Sequence, residues 1–443
     1  MSNVEKTVGL KDHAIKGILL PVVFACSLIS PGMCVQGVTP YLASRTGWAM
    51  AIAILIAGLL NFFWATSYTD MCRLFPKCGC HYTYIRNGLG PKIGFFVGAG
   101  VLPVYIFACG AHVIVFTETL HSIFPAIPTW VVYIGYPVFI TLLSIRGISL
   151  TSFVSAGMFL CEASILLALS FTCIGVTWPK FTVMAPHFFV PENPFTWGTV
   201  MFASVLCVYN FIGFAAETSL VEESTPDDIS RSINWSLVIT LIIYVLALIA
   251  LPLACNNYGE NANSTTPMVD TARMFWGNFW PVVVIGVLLS TCTCSLACIN
   301  TGSRMMYDMA RDGALPAWFT KIHQKYRTPW AALAFSGVFY FVSAALIPYV
   351  IQVELIVIVM LLTYAAVALS NLMVKRPILS WWAFTKSRVM PVIGLVMAVY
   401  LMTTASKTAW TWSLVWFAIV LAYEIYISKA RPHALQNLNL TEM

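Results

Sequence analysis

Apolar residues run along this chain in long stretches, separated by short segments that hold nearly all its charge. A run of about 20 apolar residues crosses the hydrocarbon core of a bilayer as one helix. By that measure the chain has about twelve spans, near 15–42, 48–69, 93–120, 128–146, 152–177, 196–221, 233–254, 280–303, 329–349, 351–373, 389–405 and 409–428. The pattern predicts an all-α polytopic membrane protein, because in lipid a helix satisfies its own backbone polar groups. No soluble domain is predicted. The longest segments between spans are 70–92, 178–195, 222–232, 255–279 and 304–328. The stretch after Lys16 is too long for a cleavable leader and lacks a small-residue cleavage site, so it reads as the first span.

Two spans are interrupted near their middles, the first at Ser30-Pro31-Gly32 and the sixth at Asn210-Phe211-Ile212-Gly213. Proline removes a backbone donor and clashes with the preceding turn, and glycine weakens a helix. Irregular backbone at membrane depth is tolerated only where protein buries it or a cavity adjoins it. The breaks lie five spans apart, so a second set of five spans would run in the opposite sense to the first. This predicts a five-plus-five inverted repeat with broken helices 1 and 6 and a substrate site between them. The predicted organisation is a tail (1–14), repeat one (15–177), repeat two (196–373), two further spans (389–428) and a second tail (429–443).

Composition agrees with a membrane location. The chain is 59% hydrophobic and 9% charged, where soluble domains carry about 25% charged residues. Of its 24 Lys and Arg, all but Arg45, Lys180, Arg273 and Lys407 fall in the tails or in loops after even-numbered spans. The positive-inside rule then predicts a multi-pass protein of the cell (inner or plasma) membrane with both termini cytoplasmic. That bias accounts for the net charge of +6, and no basic aromatic patch suggests nucleic-acid binding. The 13 cysteines lie mostly within spans and read as small apolar residues, with no disulfide framework. Cys78-Gly79-Cys80-His81 lacks a second ligand pair at zinc-like spacing, so no metal centre is expected.

Three stretches carry a family resemblance. Phe75-Pro76-Lys77-Cys78-Gly79-Cys80-His81-Tyr82-Thr83-Tyr84 with Leu89-Gly90-Pro91 follows span 2. Gly213-Phe214-Ala215-Ala216-Glu217-Thr218-Ser219-Leu220-Val221-Glu222-Glu223-Ser224 closes span 6. Ser303-Arg304-Met305-Met306-Tyr307-Asp308-Met309-Ala310-Arg311-Asp312-Gly313-Ala314-Leu315-Pro316 follows span 8. In kind and order they resemble the amino acid/polyamine/organocation permeases, over spans 1 to 10 at least. The resemblance implies alternating access, with spans 1, 2, 6 and 7 moving against spans 3, 4, 8 and 9, and with spans 11 and 12 peripheral.

A half-helix N-terminus suits a carboxylate and a half-helix C-terminus suits an ammonium or metal cation. The expected substrate-binding residues are therefore Ser30, Pro31, Gly32 and Met33 at one break, and Tyr209, Asn210, Phe211, Gly213, Phe214 and Glu217 at the other, with His112 from span 3. Members of the resembled family usually have Gly-Ser-Gly at the first break. Here Pro31 lacks an N–H: either the carboxylate shifts by one donor to Gly32, Met33 and the Ser30 hydroxyl, or it is held differently or absent, as in an amine. Most members carry a neutral residue at the Glu217 position. This carboxyl is either a counter-ion for a cationic substrate or an acid that faces a vestibule or caps a helix. Glu162 stands where several proton-coupled relatives place a lysine, in the region that holds sodium in other members of the wider fold. It cycles protons, helps Thr291, Thr293 or Ser295 bind a cation, or is a structural carboxyl paired with a neighbour's hydroxyl. His112 is either a substrate or relay contact or a hydrogen-bonded packing residue. Phe211, Phe214 and Tyr209 are candidates to gate the site or lie over an ammonium. Glu222-Glu223, Asp227-Asp228, Arg304, Arg311 and Asp312 are expected to form inner-gate ion pairs.

The leading reading is a secondary transporter of an amino acid or related small amine, proton-coupled. An exchanger and a sodium-coupled carrier are the alternatives, followed by a transporter-like sensor. No HExxH, GxSxG or phosphate loop supports an enzyme or a cofactor, and paired breaks argue against a channel. The implied partners are the small-molecule substrate, a coupling proton or sodium ion, and the bilayer.

Overall fold

A computed structural model describes residues 17–255, 257–377 and 380–430. Tail 1–14 and residues 431–443 lie outside them. Ten helices are long and apolar enough to cross a membrane, and two shorter apolar helices, Thr129–Ile145 and Trp330–Leu346, stand where spans 4 and 9 are expected. The described residues form an all-helical polytopic membrane fold. Span 1 comprises Leu19–Ile29 and Pro31–Thr46; span 2 is Met50–Leu74, span 3 Pro91–His121, span 5 Ile148–Val176 and span 7 Pro226–Ala254. Span 8 is Pro281–Arg311, span 10 Tyr349–Met373, span 11 runs from Trp381 to Thr403, and span 12 is Lys407–Ala430. Helix starts follow local chemistry. Pro31, Pro91, Pro226 and Pro281 open helices, where a missing N–H costs nothing. The Thr225 hydroxyl caps span 7 by accepting from the Asp228 N–H.

The interruption in span 1 has a direct cause. Pro31 cannot donate to Ser27 O four residues back, and the Ser30 hydroxyl takes that carbonyl instead. Ser30 sits in the left-handed region, at φ 46° and ψ 71°, so the chain turns between the two half-helices. The freed carbonyls find partners from other spans. Leu28 O accepts from Cys294 Sγ at 3.4 Å, and Ile29 O accepts from Tyr244 Oη at 3.0 Å.

Span 6 differs from the expectation of a broken helix. It continues as Trp197–Cys207, a 3₁₀ turn Val208–Phe211, Gly213–Ala216 and a second 3₁₀ segment Glu217–Glu223. With no proline here, the helix tightens rather than unwinds. Gly213 permits its closest approach to span 1. A Cβ at this position would lie 2.5 Å from Leu28 C and 2.7 Å from Ile29 N. Tyr244 of span 7 also donates to Asn210 O at 2.9 Å, so its hydroxyl serves both interrupted spans.

Span 2 packs on span 7, span 3 on span 8 and span 4 on span 9. The first half of span 1 packs on spans 5, 7 and 8. Span 10 lies on spans 3 and 11, and span 12 covers spans 3 and 10. Large exposed side chains such as Leu142, Phe153, Phe171 and Val338 face outward, as a lipid-facing surface requires.

Candidate functional site

A small cavity of about 30 Å³ lies where spans 1, 3, 6, 8 and 10 meet, lined by residues that include Leu28, Cys34, Tyr105, His112, Tyr209, Asn210, Gly213, Cys294 and Cys298. A larger crevice of about 530 Å³ between spans 3, 9 and 12 is lined almost wholly by apolar residues such as Leu102, Phe335 and Trp416. Of these two, the central cavity gathers convergent polar groups at membrane depth beside the span 1 and span 6 interruptions, so it is the candidate site. Asn210 is 1% exposed, and neither its side-chain oxygen nor its side-chain nitrogen has a partner. A buried amide left unpaired is costly, and this one borders the cavity. His112 is held between Ser295 Oγ at 3.0 Å and Tyr209 Oη at 3.2 Å. Ser295 also accepts from Tyr136 Oη at 2.8 Å.

The donors expected at the span 1 break are turned away from this cavity. Met33 N–H donates to Ser290 Oγ at 2.8 Å, and Ser30 Oγ lies 3.0 Å from Thr293 Oγ1. Gly32 packs closely on span 8, with room for a Cβ only 3.2 Å from Ser290 Cβ. The Gly32 N–H and the Ser290 hydroxyl are the groups that act on the Glu162 carboxyl. Glu162 is 1% exposed, and neither oxygen makes a hydrogen bond of good geometry. Spans 1, 5 and 8 thus converge on a second polar cluster of Glu162, Ser290, Gly32, Ser30 and Thr293. Thr291 turns inward to Leu288 O at 2.8 Å, and Ser295 belongs with His112. The sequence reading missed Ser290. Helical periodicity carried the signal, since positions 290, 293, 294 and 297 share one face while 291, 295 and 298 share another.

Glu217 does not line the cavity. It is fully buried behind span 6, where Oε1 accepts from Ser232 Oγ at 2.5 Å and Oε2 has no partner. Phe214 stacks on Tyr364 of span 10 and Phe211 packs edge-on against Tyr244 of span 7, so both are packing residues in this conformation. Tyr209, Asn210 and Gly213 do line it.

At the charged end, residues 78–86 lock against spans 6 and 8. Arg311 pairs with Asp308 and, at 3.2 Å, with Glu222. Glu222 also accepts from the Cys78 N–H at 2.9 Å. Arg86 pairs with Asp312, which accepts from Tyr82 Oη at 2.9 Å. Asp227 pairs with Arg73 instead, Asp228 serves the span 7 cap, and Arg304 lies buried against Asn300. The residues of the Cys-Gly-Cys-His run have separate tasks. Cys80 Sγ contacts Ala215 O and the Thr218 hydroxyl. His81 bridges Tyr68 Oη and Tyr105 Oη, each at 2.5 Å. Burial holds the His81 imidazole neutral, with its pKa down at about 3. Tyr105 lines the cavity, so this buried chain links it to the 78–86 segment.

The sequence profile described as amino acid permease matches residues 23–435. Among curated proteins, the chain is 24% identical to the branched-chain amino acid permease BcaP of Bacillus subtilis, covering 89% of this chain and 88% of that one. It is 24% identical to the low-affinity putrescine importer PlaP of Escherichia coli, covering 87% and 86%. It is 21% identical to the methylthioribose transporter of Bacillus subtilis, covering 89% and 88%. These matches run nearly end to end and share one kind of task. The chain belongs to the amino acid permease family, and it is a non-enzymatic, multi-pass membrane transporter of small organic substrates.

Proposed function

We propose that the chain carries a small neutral amino acid across the cell membrane by alternating access, with both termini cytoplasmic. The observation that carries this reading is Asn210, whose buried amide borders the cavity with both polar atoms unpartnered. One amide offers a donor to a carboxylate and an acceptor to an ammonium. Among the described lining residues none is acidic, and a diamine at membrane depth needs counter-charges. That disfavours a polyamine, although one relative is a putrescine importer. The contacts of span 2 with span 7, 3 with 8 and 4 with 9 support a five-plus-five inverted repeat.

Glu162 is the coupling group in this reading. Its two unpartnered oxygens suit a carboxyl that takes up and releases a proton as span 1 moves against span 8. Sodium held by Glu162, Ser290 and Thr293 is the second reading, favoured by the oxygen-rich cluster. The test is counterflow in proteoliposomes with radiolabelled neutral amino acids and putrescine, with and without sodium. Neutral amino acids should exchange, and Asn210→Ala should raise KM at least about tenfold, the worth of one lost buried hydrogen bond. Exchange of putrescine alone would overturn the substrate class, and a strict sodium requirement would overturn the proton.

A further inference from the structure

We propose that the wall of the central cavity holds a site for a thiophilic divalent cation of the zinc class, bound by Cys109, His112 and Cys298. A ligand atom from each of the three lies within 4.8 Å of the others. Donors around a zinc ion, with Zn–S near 2.3 Å and Zn–N near 2.0 Å, stand roughly 3.5 Å apart, so side-chain rotations of about 1 Å close the site. Cys109 and His112 are three residues apart on span 3, while Cys294 and Cys298 are four apart on span 8. At these spacings each pair shares a helix face. Spans 3 and 8 pack together along their length, so the ligands sit on rigid, adjoining elements.

Charge selects the ion. Two thiolates and a neutral imidazole neutralise a divalent cation, and the two thiol protons leave to solvent as it binds. A monovalent soft cation would leave a net negative charge at membrane depth, where uncompensated charge is costly. Cys294, one turn from Cys298 on the same face of span 8, is not a ligand in this arrangement. The fourth position then opens toward the cavity that Cys294, Cys298 and His112 line. His112 exchanges one of its two hydroxyl partners for the metal, and the other fixes its tautomer, as is usual for metal-bound histidine. The second cluster able to hold an ion, Cys78 with Glu222 and Asp308, has both carboxylates paired with Arg311, which competes with a cation.

The test uses purified full-length protein titrated with Cd²⁺ and Zn²⁺. Wild type should show one thiolate-to-cadmium charge-transfer band per chain, displaced by Zn²⁺, with about two protons released per ion. Cys109→Ser and Cys298→Ser should each weaken binding at least about tenfold, as loss of a ligand does. Cys161→Ser, an exposed cysteine, and Cys78→Ser should change nothing. X-ray absorption of the zinc-loaded wild type needs no variant and should show two sulfur neighbours and one imidazole nitrogen. A shell of oxygen donors, binding lost only in Cys78→Ser, or wild type no tighter than Cys298→Ser would each overturn the proposal.

Discussion

Glu222 offers the most direct test of how the proposed cytoplasmic end stays closed. It is the acid that reaches from the end of span 6 to Arg311 of span 8 and to the Cys78 N–H. Glu222→Gln removes the charge but keeps an acceptor for that N–H. The Arg311 and Glu222 side chains are 41% and 20% exposed, so the ion pair contributes about 1 kcal/mol. Losing it should raise the open population about fivefold, and Glu222→Ala, which also loses the acceptor, about thirtyfold. The reporter is Cys80, fully buried beneath this contact and held unreactive at a pKa of about 12, chiefly by burial, with no contribution from Glu222. Cys78 would be a poor reporter, because Glu222 itself helps to hold its pKa up. N-ethylmaleimide labelling of Cys80, followed by peptide mass spectrometry, should accelerate by those factors. If Cys78 labels faster and Cys80 does not, the effect is electrostatic only and the contact is not a closure.

Three further outcomes follow from the same geometry. Gly213→Ala sets a Cβ against span 1 backbone that cannot rotate away, so it should cost about 1–3 kcal/mol, read as a lower melting temperature in detergent; an unchanged value would mean the spans are not in contact there. Glu162→Gln should leave counterflow intact but abolish proton-driven accumulation, and equal loss of both would make Glu162 structural. Because the pKa of His81 is lowered from about 6.5 to about 3, its contribution to stability is complete above pH 6.5 and is lost as pH falls toward 3, on the order of 5 kcal/mol. Melting between pH 7 and 4 should therefore fall more steeply in wild type than in His81→Gln, and parallel curves would reject the assignment.

The apolar runs made the membrane helices of the described residues legible because lipid admits few other solutions for a single-chain backbone. The span 1 break was legible for the same kind of reason: Pro31 forces it locally. Span 6 was less so. Asn210 to Gly213 marked the right place, but whether a proline-free segment unwinds or tightens depends on neighbours such as Tyr244. Glu217 read as a site residue because charge at membrane depth is rare. Its direction was fixed instead by Ser232, on a helix distant in sequence. The cysteines were read as small apolar residues, and for Cys26, Cys72 and Cys207, buried in the core, nothing further is needed. For Cys109, Cys294 and Cys298 the deciding fact is that span 3 lies against span 8, which no local pattern contains.

The last two spans are not bystanders. Span 11 is fastened to span 2, where Trp64 donates to Gly394 O at 2.8 Å and Asp70 pairs with Lys386 at 3.2 Å. Span 12 is fastened to span 3, where Trp416 donates to Gly100 O at 3.1 Å and Phe417 lies on Phe96. If spans 2 and 3 belong to bodies that rock against each other, this helical hairpin is a tie rod bolted to both. All relative travel must then be absorbed by residues 404–406 between its two arms, where Ser406 is itself moored to Glu354 at 2.7 Å. On that condition the stiffness of the elbow would set how far the carrier can swing.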